Sequence, residues 1–294
     1  MIEGREVTDM FETILVPTDG SDCAAQALDH VVDIARHYDA TVHVLTVVDV
    51  RDLESAPDVG PFEDEAATLV SDAADGIDDG VETVTSVRTG YPDEEIRAYA
   101  DQTEADLIAM GSHGRTGVRR FVLGSIAEKV VRLADTPVLT VTGSDAGGLP
   151  YENVLVPTDG SAGSEAAVDP AASIAAAYGA TVHTLSVVDT RALGADVRSD
   201  VLVDTLEDNA TDALDDLAAD LTDRDVESVA KEVMFGTPYQ AIQSYIEDND
   251  IDLVVMGTHG RTGLDRYLLG SVTEKLVRTA PVPVLSVRVP ENAG

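Results

Sequence analysis

Short runs of β-branched and aliphatic residues alternate along this chain with longer stretches whose apolar positions recur every three or four residues. Thr13–Val16 is such a run, closed by Pro17, and Ser21–Tyr38 then sets Ala24, Leu28, Val31, Ile34 and Ala35 on one helical face. Thr41–Val48 is continuous enough to be a strand buried on both faces. The pattern goes on as helix Phe62–Ile77, strand Val81–Arg88, helix Asp93–Gln102, strand Asp106–Met110, helix Gly124–Ala134 and strand Pro137–Val141. Strict strand–helix alternation predicts a doubly wound α/β fold with a parallel sheet, which binds ligands beyond the carboxyl ends of its strands.

The pattern then starts again. Ile14-Leu15-Val16-Pro17-Thr18-Asp19-Gly20-Ser21 returns as Val154-Leu155-Val156-Pro157-Thr158-Asp159-Gly160-Ser161, an offset of 140 residues. Thr41–Asp49 returns at Thr181–Asp189 with the same offset, whereas Gly111 and Gly124 return at Gly257 and Gly270 with an offset of 146. Six additional residues of the second copy therefore fall between its second strand and its later glycines. Two domains are expected, over residues 1–143 and 151–294, joined by a turn-prone linker at 144–150 that ends Gly147-Gly148-Leu149-Pro150.

Composition narrows the partners. The 294 residues carry 19 Lys and Arg against 55 Asp and Glu, a net charge of -36, which argues against nucleic acid or an anionic membrane as partner. A hydrophobic content of 44% makes the chain a folded one. With three lysines (Lys129, Lys231, Lys275) and few aromatics, the acidic surface resembles that of proteins from extreme halophiles, so structure should be lost in low salt. The single Cys23 fits a reducing compartment, and neither a membrane-length apolar run nor a signal-peptide pattern is present. A cytoplasmic location is expected.

The chemistry concentrates after the fourth strand of each copy. Gly111-Ser112-His113-Gly114 is followed by nine residues and Gly124-Ser125, and Gly257-Thr258-His259-Gly260 by nine residues and Gly270-Ser271. Glycines let backbone N–H groups approach a ligand, and a helix opening at Gly124-Ser125 would turn its free N–H groups and positive dipole end toward an anion. Together these make a phosphate cradle. Neither copy has a P-loop, nor GxGxxG after its first strand.

The pattern G-x-x-G, nine residues, G-[ST], with an Asp after the first strand, resembles the ATP-binding branch of the universal stress protein family over both halves of the chain. The resemblance implies two tandem Rossmann-like domains of the adenine nucleotide alpha hydrolase type. Each would have a five-stranded parallel sheet with helices on both faces, and the domains would pack as a dimer through their last strands. It implies that Asp19 and Asp159 hold a ribose and that Val47 and Val187 meet adenine through their backbone. Ribose and phosphates would fall to Gly111, Gly114, Gly124 and Ser125 in the first site and to Gly257, Gly260, Gly270 and Ser271 in the second. Pro17, Thr18, Met110 and Ile126 would complete the first contact set, and Pro157, Thr158, Met256 and Val272 the second. The ligand implied is ATP, or ADP or AMP, with Mg2+ accompanying it.

Other readings stand beside this one. Ser125-Ile126-Ala127-Glu128 and Ser271-Val272-Thr273-Glu274 also fit capping boxes, and Asp19 and Asp159 also fit N-caps of the first helices. Arg115 and Arg261 are candidate phosphate partners. His113 and His259 lack an identifiable partner for catalysis, and His43 and His183 fit strand packing. Arg119 becomes Asp265 in the second copy, either as surface drift or as a sign that the first site binds triphosphate more tightly. Pairing the apolar last strands, Pro137–Val141 and Pro283–Val287, within one chain would cover two sheet edges, and pairing between chains is the alternative. A nucleotide-sensing stress or signalling module is expected. A slow ATPase or adenylate-forming enzyme, and an interaction module without nucleotide, are the competing classes.

Overall fold

A computed structural model of the chain describes residues 10–54, 58–78, 80–114, 123–142, 148–189, 200–259 and 269–289. They form two compact units. The first comprises residues 1–146 with Val277–Pro281, the second residues 147–276 with 282–294.

The first unit runs β1 (Thr13–Pro17), α1 (Asp22–Tyr38), β2 (Thr41–Asp49), α2 (Val50–Leu53), α3 (Gly60–Asp75), β3 (Thr83–Gly90), α4 (Pro92–Thr103), β4 (Leu107–Gly111), α5 (Ser125–Leu133) and β5 (Val138–Val141). Its sheet has the order β3-β2-β1-β4-β5 with every pairing parallel, and Leu15 lies between His43 and Ile108. Parallel strands need their faces covered, which is why Ile14, Leu15, Val42, Val44 and Ile108 are all buried. Helix α1 packs on β1 and β4, and α3 on β2 and β3. The strand order reverses between β1 and β4, and at such a point the loops part and leave a crevice.

The second unit runs β6 (Asn153–Thr158), α6 (Ala162–Glu165), α7 (Val168–Tyr178), β7 (Thr181–Asp189), α8 (Asp200–Thr222), β8 (Val229–Gly236), α9 (Pro238–Asp248), β9 (Leu253–Gly257), α10 (Ser271–Thr279) and β10 (Val284–Val287). Its parallel order β8-β7-β6-β9-β10 matches the first. The additional residues enter between β7 and β8, where α8 has 23 residues against 16 in α3. Each unit is thus a Rossmann-like α/β half with five parallel strands.

Several local expectations needed correction. The strand placed over Val81–Arg88 is β3 at Thr83–Gly90, because the Val81 N–H bonds back to Asp78 in a turn and Pro92 starts α4 directly afterwards. Ser21, not Asp19, caps α1: its hydroxyl accepts from the Ala24 N–H at 3.3 Å. Ser161, not Asp159, caps α6 in the same way. The capping box at Ser125 does not form, since Gly124 is the N-cap and no side chain caps α5. Ser271 is likewise the first helical residue of α10 rather than its cap. His43 and His183 pack as expected, each ring meeting a tyrosine hydroxyl, Tyr99 or Tyr245, at 3.0 Å.

Candidate functional site

A cleft of about 750 Å3 opens at the carboxyl ends of β1, β2 and β4 in the first unit, within the size range of small-molecule sites. Pro17, Thr18 and Asp19 line it where β1 ends, and Val47 where β2 ends. Met110, Gly111 and Gly114 line it after β4, with Gly124, Ser125 and Ile126 at the start of α5. The structure therefore gathers into one cleft every expected first-site residue that it describes. Arg115 lies outside the described residues, as does Arg119.

The β1 end is held by short-range bonds. The Thr18 N–H donates to the Leu45 carbonyl at 2.8 Å, and the Thr46 hydroxyl returns a bond to the Thr18 carbonyl at 2.9 Å. Gly20 takes a φ of 74°, a left-handed turn suited to glycine, and Asp19 Oδ1 then accepts from the Ser21 N–H at 3.0 Å. That bond fixes the Asp19 carboxylate, and its other oxygen faces Gly114. A Cβ on Gly114 would stand 2.5 Å from Asp19 Oδ2.

The glycines serve different ends. A Cβ on Gly111 would meet the Cys23 Cβ at 2.7 Å and the Ala24 nitrogen at 2.9 Å, so this glycine lets α1 pack against β4. Gly124 passes close to the Ser112 carbonyl, to which its N–H donates at 2.8 Å, and so places the start of α5 against the loop. Gly114 alone of the three leaves room for a functional side chain. Among the described residues no group accepts from the N–H groups of Ser125, Ile126 or Ala127, the free donors that begin a helix. They border the cleft, where the helix dipole favours negative charge.

His113 is in the loop, with Nδ1 at 2.7 Å from the Ser112 hydroxyl and a buried Nε2 that has no partner. Burial lowers its pKa below the ordinary 6.5, so the ring is neutral near pH 7. Its main-chain carbonyl accepts from the Ser21 hydroxyl at 3.3 Å, which ties the loop to the cap of α1.

Parts of the cleft escaped sequence reasoning. Phe62, Ala66 and Leu69 of α3 and Ile96 of α4 supply an apolar wall suited to a flat ring. Their signal is only the apolar stripe that any packed helix carries. Arg51 is the Lys or Arg among the described lining residues, and it shares the cleft with the carboxylates of Asp19, Asp49, Asp52 and Glu65. Its guanidinium holds Asp49 through bonds at 2.8 and 2.9 Å, and that pairing keeps the Asp49 carboxyl below its usual range. The signal was present as Asp-x-Arg after the second strand of both copies, Asp49-Val50-Arg51 and Asp189-Thr190-Arg191. Among the described residues no cluster of three or more His, Cys, Asp or Glu could hold a metal ion.

In the second unit Pro157, Thr158 and Asp159 end β6 and its loop, Val187 lies in β7, Met256 and Gly257 end β9, and Ser271 and Val272 start α10 just after Gly270. Gly260, Arg261 and Asp265 lie outside the described residues. Asp159 repeats the turn bond of Asp19, its Oδ1 accepting from the Ser161 N–H at 3.1 Å, and that oxygen also accepts from the Ser161 hydroxyl at 2.5 Å. No described helix is long and apolar enough to cross a membrane.

Comparison with known proteins agrees with this arrangement. The model of the universal stress protein family matches residues 10–142 and again 150–288. A universal stress protein of Methanocaldococcus jannaschii is 36% identical over 145 residues, covering 47% of this chain and 85% of that protein. One from Bacillus subtilis is 31% identical over 147 residues, covering 45% of this chain and 99% of its own. The crystal structure of a universal stress protein from Archaeoglobus fulgidus shares the fold along the chain, with a TM-score of 0.70 at 24% identity and coverage of 95% and 99%. The chain belongs to the universal stress protein family and carries two copies of its domain.

Proposed function

We propose that the first unit binds an adenine nucleotide, ATP or its products ADP and AMP, and that the protein acts by sensing it in a stress or signalling response. The observation that carries this reading is the meeting, in one cleft, of the Asp19 carboxylate, the glycine-lined loop and the unused N–H groups of α5. Asp19 is placed to accept from ribose hydroxyls, and the α5 N–H groups to donate to phosphate oxygens. The apolar wall of Phe62, Leu69 and Ile96, with the Val47 backbone opposite, suits the base.

Magnesium belongs to the same proposal. Four lining carboxylates oppose a bare polyphosphate, and Arg51 is already paired with Asp49. Mg2+ carried on the phosphates lowers the charge brought into the cleft, without a protein cage of its own.

Binding rather than turnover is the activity proposed. His113 is bonded to Ser112 and has no carboxylate partner among the described residues, so the described cleft does not pair its imidazole with a carboxylate as a catalytic base would require. The free thiol of Cys23 supports a reducing, cytoplasmic setting. Calorimetric titration with Mg-ATP in high salt tests the reading: saturable binding is expected, with no multiple-turnover release of phosphate. Absence of binding to any adenine nucleotide would leave an interaction module, and sustained phosphate release would make the protein an ATPase.

A further inference from the structure

A ligand that spans the cleft of the first unit meets two helices, and their separation decides whether it can reach both. Helix α4 supplies part of the base wall, because Pro92 and Ile96 line the cleft. Helix α5 supplies Ser125, Ile126 and Ala127, with their free N–H groups. Asp93 lies between Pro92 and Ile96 in the chain, does not line the cleft and is buried, its side chain 7% exposed. A carboxylate so placed needs a partner. It finds one on α5, where Lys129 Nζ donates to Asp93 Oδ1 at 2.9 Å. The bond joins the helix of the base wall to the helix of the phosphate donors.

Lys129 is well placed to control its helix. Helical side chains lean toward the N-terminus, so Lys129 lies over the turn that holds Ser125. Its charge is also felt at the end of β2, where the Asp49 carboxyl is held low chiefly by its bonds to Arg51, with Lys129 adding to the effect.

The second unit ties the corresponding helices by other chemistry. At the offset of 146, Lys129 returns as Lys275 and Asp93 as Tyr239. Lys275 Nζ stands 5.6 Å from the centroid of the Tyr239 ring, a cation on an aromatic ring. In both units a lysine one turn into the later helix is held by the residue after the proline that opens α4 or α9. The tie between the helices is what repeats, and the ion pair is the first unit's version of it.

We propose that Asp93 and Lys129 are positioning residues for the phosphate chain, their ion pair fixing the separation between the base wall on α4 and the N–H donors of α5. The proposal rests on the nucleotide reading above and deepens it by naming what aims the donors. Neither residue needs to touch the ligand. Position and charge make opposite demands on Asp93. By charge alone, removing a carboxylate close to an anion site should tighten ATP binding. If Asp93 acts through the placement of α5, its neutralisation weakens binding.

The test is titration of the full chain with Mg-ATP in high salt, the first-unit site being identified as the component that Asp19→Ala weakens. Asp93→Asn is the decisive variant, because the ammonium it releases is on a side chain already 47% exposed, where water can receive it. Lys129→Met would instead strand a buried carboxylate. Asp93→Asn should weaken the first-unit component by about tenfold, the scale of one charge-assisted hydrogen bond. Adenosine, which carries no phosphate, should compete with unchanged affinity. If the single variant does not fold, Asp93→Asn/Lys129→Met, which leaves neither charge behind, is read in the same way. Unchanged or tighter ATP binding would overturn the proposal and leave the nucleotide reading standing. An equal loss for adenosine would make the pair a general support of the fold and would also overturn it. If Asp19→Ala weakens no component, or the unmodified chain binds no ATP, the nucleotide reading of this site fails, and this inference with it.

Discussion

Asp19 and Gly114 face one another so closely that a methyl group on Gly114 would stand 2.5 Å from the Asp19 carboxylate oxygen. The obstructed atom ends a short side chain and can rotate away, so Gly114→Ala should leave the fold intact while displacing the carboxylate. Binding of Mg-ATP should weaken by about tenfold or more, with a Tm change of only a few degrees. Asp19→Ala removes the acceptor outright. Hydrogen bonds to a charged group contribute about 1.5–3 kcal/mol, which corresponds to roughly 10- to 100-fold in Kd. Calorimetry paired with thermal melts checks both, and unchanged affinity in both variants would remove Asp19 from the site.

Gly111→Ala should behave in the opposite way. Its Cβ would strike the Cys23 Cβ and the backbone of α1, at 2.7–2.9 Å, and backbone does not swing aside as a carboxylate does. Overpacking of this kind costs about 1–3 kcal/mol. The variant should lose several degrees of Tm even without ligand, and a melt equal to that of the unmodified protein would disprove the packing role.

Stability should fall on mild acidification. Burial lowers the pKa of His43, His113 and His183 below 6.5 in the folded chain, with Glu82 partly opposing this at His43. In the neutral His183 ring that burial favours, Nε2 donates to the Asn153 amide oxygen at 3.2 Å, which leaves Nδ1 to accept from the Tyr245 hydroxyl at 3.0 Å. Below pH 6.5 the unfolded chain takes up protons before the folded one does. The stabilisation is therefore complete above about pH 6.5 and is lost as pH falls from there through the lowered folded values. Tm measured from pH 8 to 5 at constant salt should be flat and then decline, and His183→Gln should decline less steeply.

Salt should matter more than for an ordinary domain. The net charge is -36, and ion pairs such as Arg36–Asp78 and Lys231–Asp215 are too exposed to offset it. Molar salt shortens the Debye length to roughly 3 Å and screens the repulsion. Circular dichroism should report a lower Tm or loss of structure on dialysis into dilute buffer. A melting point that does not move would remove the halophile-like reading of the surface.

Strand and helix periods are local, and so is the repetition of a motif. The alternation, the two copies and the residues gathered at the ends of β1 and β4 were therefore legible in the chain itself. Asp19, Gly114 and Gly124 needed no fold to be singled out. Capping was not legible, because Asp19 and Ser21 are both good cap residues and only the path of the backbone at Gly20 selects between them. The separate duties of Gly111 and Gly114 were hidden for the same reason: one meets a helix backbone and the other a carboxylate, and no spacing rule distinguishes them. Arg51 and the Phe62–Leu69 wall join the cleft only because α2 and α3 fold over the end of the sheet. Gly163 is plain in the sequence, yet its part is a backbone-to-backbone contact with residues 257 and 259 that exists only once α6 is folded against the end of β9.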